Sequence, residues 1–387
     1  MREPWPTGGR LPTEQVGSIP RPFSLQQAVL GFNSGRITGQ ELQAQQDEAV
    51  ADTLEHLRST GSEIVSDGEQ RRTSFAAYPL GQSTQTDKVT GGAVFAVFAD
   101  GHHRVMPRLT QVPFRFEAWA ADDVIAAQKF TQLPLKQAVI SPSMLSLMAP
   151  DTLSGDYSRD QFLTDVVAGC AEDIRRCFAA GATRVSIDFT EGRLALREDV
   201  RAPWAGPGAL AGFIDLINRV LDQLTPAERL LVGVHTCPGN ANDSAHSADV
   251  DYAGLIPELF QIEAGYFLMQ AASEKDPDRV AKLAGDQLKR RSISAGPTPR
   301  VLLGVTNPTS PKLETADEIR AQLVRAARFI PAEYLGSTDD CGFSPYLVDE
   351  KPKHGSPDYA REVAFAKIAA RVFGTQLASE ELNGAAS

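Results

Sequence analysis

Long apolar runs are missing from this 387-residue chain. No stretch approaches the roughly 18 consecutive apolar residues that a transmembrane helix needs, so none is expected. A basic excess is missing too: 38 Lys and Arg stand against 49 Asp and Glu, a formal net charge of -11. That balance argues against nucleic acid or an anionic membrane as partner, because both require a basic face. Cysteine is scarce. Four in the whole chain do not make a disulfide scaffold, and a reduced, cytoplasmic protein is the default. The opening MREPWPTGGR has no apolar h-region, so no secretory signal is expected and residues 1–11 read as a loose extension. A glycine-rich phosphate loop is also lacking after the first strand-like segment. The similar GPGALAG at 206–212 follows Trp204 and a loop instead, which counts against a nucleotide site.

What is present is alternation of short apolar runs with longer helical patterns, the pattern of βα repetition. Eight strand endings can be read: 14–18, 63–69, 137–143, 184–191, 230–237, 265–271, 300–308 and 333–341. Thr38, Ser158 and Thr315 stand where N-caps belong, and Asp358 opens a last helix expected to close at Gly374. The expected fold is α/β: a single (β/α)8 TIM barrel over residues 12–376, with a C-terminal tail at 377–387. The segment VFAVFADGHHRVMPRLTQVPFRFEAW, within 92–119, reads as a β-hairpin inserted after strand 2, turning near Asp100-Gly101. Cys170 and Cys177 fall on nearly one helix face and read as packing residues.

In such barrels the chemistry collects where strands run out into loops. Most of these endings carry polar residues: Ser18, Asp67 and Glu69, Asp188 and Glu191, His235 and Cys237, Gln270, Asn307, Asp340 and Cys341. Singly, each is ordinary loop polarity or capping. Together they form an acidic ring around a His-Cys-Cys cluster. In GVHTCPGN (233–240), His235 and Cys237 are two apart on a strand and face one way. The pair reads as core packing, as a nucleophile with its base, or as part of a metal site. Cys341 at the end of the last strand can supply the third ligand that a catalytic zinc requires. Arg193 can grip a substrate carboxylate or sulfonate, or pair with Glu191.

Five motifs together resemble the cobalamin-independent methionine synthase family, in its C-terminal catalytic barrel and its shorter stand-alone forms. They are VGSIPRP (16–22), SDGEQRR (66–72), VSIDFTEG (185–192), HTC (235–237) and DDCGF (339–343), spread over nearly the whole chain. The resemblance implies a zinc ion on His235, Cys237 and Cys341, activating the thiol of a homocysteine-type acceptor for methyl or other alkyl transfer. It implies that Ser18 lies in the motif holding the substrate carboxylate, and that Glu69 and Asp188 meet its amine. The partners implied are small molecules, a thiol and an alkyl donor; assembly of several copies is compatible with this composition.

Two departures stand out. Where the family carries a glutamate ligand, YFLMQAASE (266–274) offers Gln270, weakly ligating or displaced, or Met269 if the register slips by one. Where it carries a catalytic histidine, GVTNPTSPK (304–312) has Thr309 with Asn307 nearby. Asp340, Asn307 and Thr309 are therefore the catalytic candidates. Opening of an epoxide, as in epoxyalkane:coenzyme M transferases, is the alternative electrophile chemistry; a metal-free decarboxylase-like barrel is a third reading. His246 reads as a surface-loop residue, His102 and His103 as a solvated turn or a lid, and His56 and His354 as structural or solvent-facing.

Overall fold

A computed structural model describes residues 5, 8–81, 86–87, 93–149, 156–291, 297–344, 346–347 and 351–385. Its centre is a six-stranded parallel sheet. In spatial order the strands are Lys136–Ile140, Arg184–Asp188, Val232–Thr236, Tyr266–Met269, Arg300–Gly304 and Leu335–Thr338, each paired with its successor in sequence. Helices fill the crossovers, as parallel pairing requires. At the outer edges two short segments continue the pairing: Val65 bridges Leu135, and Thr13 bridges Ser337, both in parallel. These segments also meet each other. The Ser66 hydroxyl donates to the Gly17 carbonyl (3.0 Å), and the Ile19 amide donates to Gly68 (3.0 Å).

Strand alternation sorts the side chains. Val185, Ile187, Val234, Phe267, Met269, Val301 and Leu303 join the large core beneath the helices, while Tyr266, Leu268 and Leu302 pack with Val16 on the inner face. Gly233 is required there: a Cβ would lie 2.4 Å from the Tyr266 ring.

The helices start where their caps dictate. Thr38 and Glu41 form a reciprocal capping box on Gly39–Ser59, Thr315 and Glu318 do so on Ala316–Ala326, and Ser158 caps Arg159–Ala179. The last helix does not stop at Gly374; it runs Pro357–Ala385. Gly374 lets it lie against its neighbour, since a Cβ would come 2.7 Å from the Ala316 carbonyl oxygen. So the expected tail is helical through residue 385, and Ser379 accepts the Leu11 amide (3.0 Å). Of the expected N-terminal extension, residues 1–4 and 6–7 lie outside the described residues. Trp5 packs edge-on against Tyr266 and beneath the guanidinium groups of Arg184 and Arg300.

The hairpin pairs Ala93–Val97 with His103–Met106 and turns at 98–102, near the expected Asp100-Gly101. It is stitched to the loop after Thr236: the Ala99 amide donates to Ala245 (3.1 Å) and the Asp100 amide to the Ser244 hydroxyl (3.3 Å).

Candidate metal centre and its cavity

His235 occupies the inner face at the C-terminal end of Val232–Thr236, level with Asp188 on the adjacent strand. The strand ends one residue before Cys237, and Cys341 follows Leu335–Thr338. The ligand atoms of His235, Cys237 and Cys341 lie within 4.8 Å of one another. The two sulfurs are 2.9 Å apart, too far for the ~2.05 Å of a disulfide. One tetrahedral ion at ~2.3 Å from each would part them to about 3.7 Å. Burial, then the Lys136 charge, pushes the imidazole down to about 3, so it is a neutral donor at pH 7. Neither ring nitrogen makes a well-formed hydrogen bond, although the Leu268 carbonyl is near enough to favour a proton on the ring. Burial and the neighbouring sulfur push the Cys237 thiol up in the absence of a cation. Two buried thiols and a neutral imidazole are a zinc donor set, and they fit that ion.

These residues open into a cavity of about 500 Å³, counting space open to solvent. Ser18, Glu69 and Asp188 line it alongside His235 and Cys341. Glu69 is held with φ 58°, directly after Gly68 at φ 69°. A left-handed non-glycine residue costs conformational energy, and such strain concentrates at functional sites. Glu69 Oε2 and Asp188 Oδ1 are buried without a hydrogen-bond partner. Burial, and then the Glu69 charge, raises the Asp188 carboxyl to about 8. Burial also raises Glu69, against the pull of Arg72 and Arg21. An incoming ammonium would satisfy both carboxylates and bring them back toward their ordinary range. Ser18 accepts the Ser344 amide (3.3 Å). Gly342 leaves it room, since a Cβ there would lie 2.2 Å from its hydroxyl.

The roof of the cavity is aromatic. Phe95 and Phe98 come from the hairpin, Phe75 and Tyr346 from flanking loops. His246 stands edge-on to both Phe95 (5.8 Å) and Phe98 (5.3 Å), is buried, and lines the same cavity, not the surface. Burial, then Arg197, pushes its pKa down to about 3. The expectation of a surface histidine fails because the hairpin covers this loop. The only local signal was that His246 follows Cys237 by nine residues. His102 stacks on Phe98 and pairs with Asp100 (Nδ1–Oδ1 2.5 Å), and His354 pairs with Asp243 (3.0 Å).

Several candidates serve the scaffold instead. Glu191 is buried on the hydroxyls of Ser141 and Ser143 and is raised by burial to about 7, outside the residues lining the cavity. Arg193 pairs neither with Glu191 nor with the cavity. Its guanidinium donates to the Ala248 and Val250 carbonyls, to Gln270 (3.1 Å) and to Glu274. Gln270 shares the inner-face series of Tyr266 and Leu268, while Met269 joins the helix-side core. The Gln270 amide is taken up by Arg193 and by Ser273 (2.8 Å). Asp340, though adjacent to Cys341, accepts the amides of Ala271, Ala272 and Ser273 and the Ser273 hydroxyl. It holds a loop in place. Asn307 accepts the Thr309 amide and hydroxyl (2.9 and 2.6 Å) and its own amide donates to Glu314 (2.9 Å), in a turn away from the cavity.

Comparison with known proteins bears on this geometry. The profile of a family described as "Cobalamin-independent synthase, Catalytic domain" matches residues 11–351. A methionine synthase of Saccharolobus solfataricus is 21% identical over 381 residues, covering 96% of each chain. A 5-methyltetrahydropteroyltriglutamate–homocysteine methyltransferase of Nitratidesulfovibrio vulgaris is 22% identical over 86% of this chain, which spans 38% of that longer protein. Among solved structures, a B12-independent methionine synthase from Shewanella sp. W3-18-1, in complex with selenomethionine, superposes with a TM-score of 0.69. It is 19% identical and covers 97% of this chain and 99% of its own.

Proposed function

Because this chain belongs to the cobalamin-independent synthase family, through its catalytic domain, we propose that it transfers a methyl group to a homocysteine-type thiol at a zinc ion held by His235, Cys237 and Cys341. The observation that carries this reading is the juxtaposition of that ligand cluster with two buried, unsatisfied carboxylates in one cavity. Zinc in that position would supply Lewis acidity, favouring the acceptor's thiolate near neutral pH. The chain's own residues orient the acceptor: Glu69 and Asp188 take its ammonium, and the Ser18 hydroxyl donates to its carboxylate. The Leu268 carbonyl steers the His235 ring, as outer partners of metal-bound histidine do. Phe95 and Phe98 keep water from the reacting sulfur. Glu191, Arg193, Asp340, Asn307 and Thr309 act through the scaffold, and Gln270 stays displaced from the ion by Arg193.

The same reading closes the sheet. Segments 13–17 and 64–66 are strands 1 and 2 of a (β/α)8 barrel, joined through Ser66 and Ile19, and the hairpin is inserted after strand 2. Four free, buried cysteines suit a reducing compartment, the cytoplasm. A sulfonate-bearing thiol, the acceptor of the epoxide-opening alternative, would want a cation. Among the described residues lining the cavity there is no lysine or arginine.

Protein purified without chelator should carry one zinc per chain by elemental analysis, and homocysteine should bind it with release of a proton in calorimetry. Folded protein with no affinity for zinc would sink the reading.

A further inference from the structure

Among the described residues lining the cavity, three side-chain oxygens are buried without a hydrogen-bond partner: Glu69 Oε2, Asp188 Oδ1 and Thr190 Oγ1. The two carboxylates take the acceptor's ammonium in the methyl-transfer reading, and Thr190 has no part there. It stands two residues after Asp188, between the end of Arg184–Asp188 and the short helical turn Glu191–Leu194. A threonine at that position ordinarily uses its hydroxyl to cap the turn. Here the Thr190 backbone is itself helical (φ -70°, ψ -27°) and the side chain makes no capping bond. The residue is only 8% exposed, and a buried hydroxyl left unpaired costs free energy. Three is also the number of N–H groups on a primary ammonium, which has no acceptor of its own. Two carboxylate oxygens satisfy two of them, and the third N–H needs another oxygen or remains buried and unpaired. The Thr190 hydroxyl donates to neither carboxylate. That separation suits three partners of one nitrogen: oxygens at ~2.9 Å from a tetrahedral nitrogen stand about 4.7 Å apart, too far to bond one another.

We propose that Thr190 Oγ1 accepts the third N–H of the acceptor's ammonium, so that Glu69, Asp188 and Thr190 together select a primary amine over a secondary one. This rests on the methyl-transfer reading and narrows its acceptor. A carboxylate pair alone tolerates a secondary ammonium, which still has two N–H groups to give. With a third acceptor in place, an N-methyl group lies against Thr190 Oγ1 and leaves that oxygen buried without a partner. A site built to hydrogen-bond a group rejects the analogue that lacks it for this reason.

The test uses zinc-loaded full-length protein and three thiols: homocysteine, N-methylhomocysteine, and desaminohomocysteine, which lacks the amine. Calorimetry reads the affinity of each for wild type, Thr190→Val and Thr190→Ser. Valine keeps the shape and drops the hydroxyl, whereas serine keeps the hydroxyl. Wild type should bind homocysteine roughly tenfold more tightly than N-methylhomocysteine, the effect of one hydrogen bond to a charged group. Thr190→Val should weaken homocysteine by about the same factor and bring the two amino thiols within about threefold of each other. Its zinc content and its affinity for desaminohomocysteine should not change. Thr190→Ser should restore the preference for the primary amine, and Thr190→Ala should repeat the valine result. An undiminished preference in the valine and alanine variants would overturn the proposal and leave methyl transfer standing. So would an equal weakening of all three thiols, which marks a structural role. Wild type that holds no zinc, or binds desaminohomocysteine as tightly as homocysteine, would remove the acceptor reading together with the proposal.

Discussion

The two ends of the sheet's inner face bury charge in opposite ways. At the N-terminal end Glu14 pairs with Arg184 (2.8 Å) and Lys136 (3.5 Å), and Lys136 also donates to the Gln15 and Val16 carbonyls (2.7 Å each). Trp5 covers Arg184 and Arg300. At the C-terminal end, Glu69, Asp188, Thr190 and His235 each keep a buried polar atom with no partner. Unpaired buried polar groups cost stability. Glu14 and Arg184 also keep buried atoms without a hydrogen bond, yet each faces an opposite charge, whereas Glu69 and Asp188 form no ion pair among the described residues. Acids left without a cation mark the end that is kept for a ligand.

The contrast can be broken most completely at the open end. Cys341→Ser should lose zinc on dialysis, and methyl transfer should fall by more than the roughly hundredfold typical of outer-shell changes at metal sites. Elemental analysis and a transfer assay check both; zinc retained at wild-type stoichiometry would contradict the ligand set. At the closed end, Lys136→Met should destabilise the fold by about 3–5 kcal/mol, because it leaves Glu14 buried with one cation fewer. Urea unfolding measures that loss, and metal content of the folded fraction should not change.

A smaller and opposite effect is expected from Asp188→Asn. Asparagine carries no charge to desolvate, so stability should hold or rise by about 1 kcal/mol while homocysteine binding weakens about tenfold or more. Loss of stability equal to that of Lys136→Met would erase the distinction between the ends.

The smallest effect concerns Glu191, whose folded pKa is raised by burial to about 7 from 4.5. The folded state therefore holds a proton that the unfolded chain has released between those values. Stability should fall as pH rises from about 4.5 to about 7, then level off, with an amplitude on the order of 1–3 kcal/mol. Glu191→Gln keeps an acceptor for Ser141 and Ser143 and should flatten that part of the stability profile. An unchanged slope would show that another group is responsible.

Much of the architecture was legible because it is local. Capping boxes at Thr38 and Thr315 are written in residues three apart, and the alternation of apolar runs with helices announces a parallel sheet. Segments 14–18 and 63–69 read as strand endings, and the pairing there is a single bridge each, at Thr13, one residue before the first, and at Val65 within the second. Gly374 read as a stop because glycine ends helices, whereas here it serves close helix packing, which local sequence does not encode.

The site divides along the same line. By itself the sequence determined the donor types: a histidine and two cysteines at strand ends are few enough, and chemically specific enough, to be picked out before any coordinates. Among a wider ring of acids at the strand ends, the family resemblance pointed to Glu69 and Asp188. Only the tertiary structure decided which polar neighbour faces the cavity. Asp340 and Cys341 are consecutive, so their side chains diverge: one grips the 271–273 loop while the other joins the ligand cluster. Arg193 and Asn307 are likewise spent on loops whose course no local rule sets. His246, Phe95 and Phe98 gained their place from a hairpin folding over a loop some 140 residues away in sequence. Donor chemistry is a property of residue type, whereas the direction of a side chain and the roof above it are properties of packing.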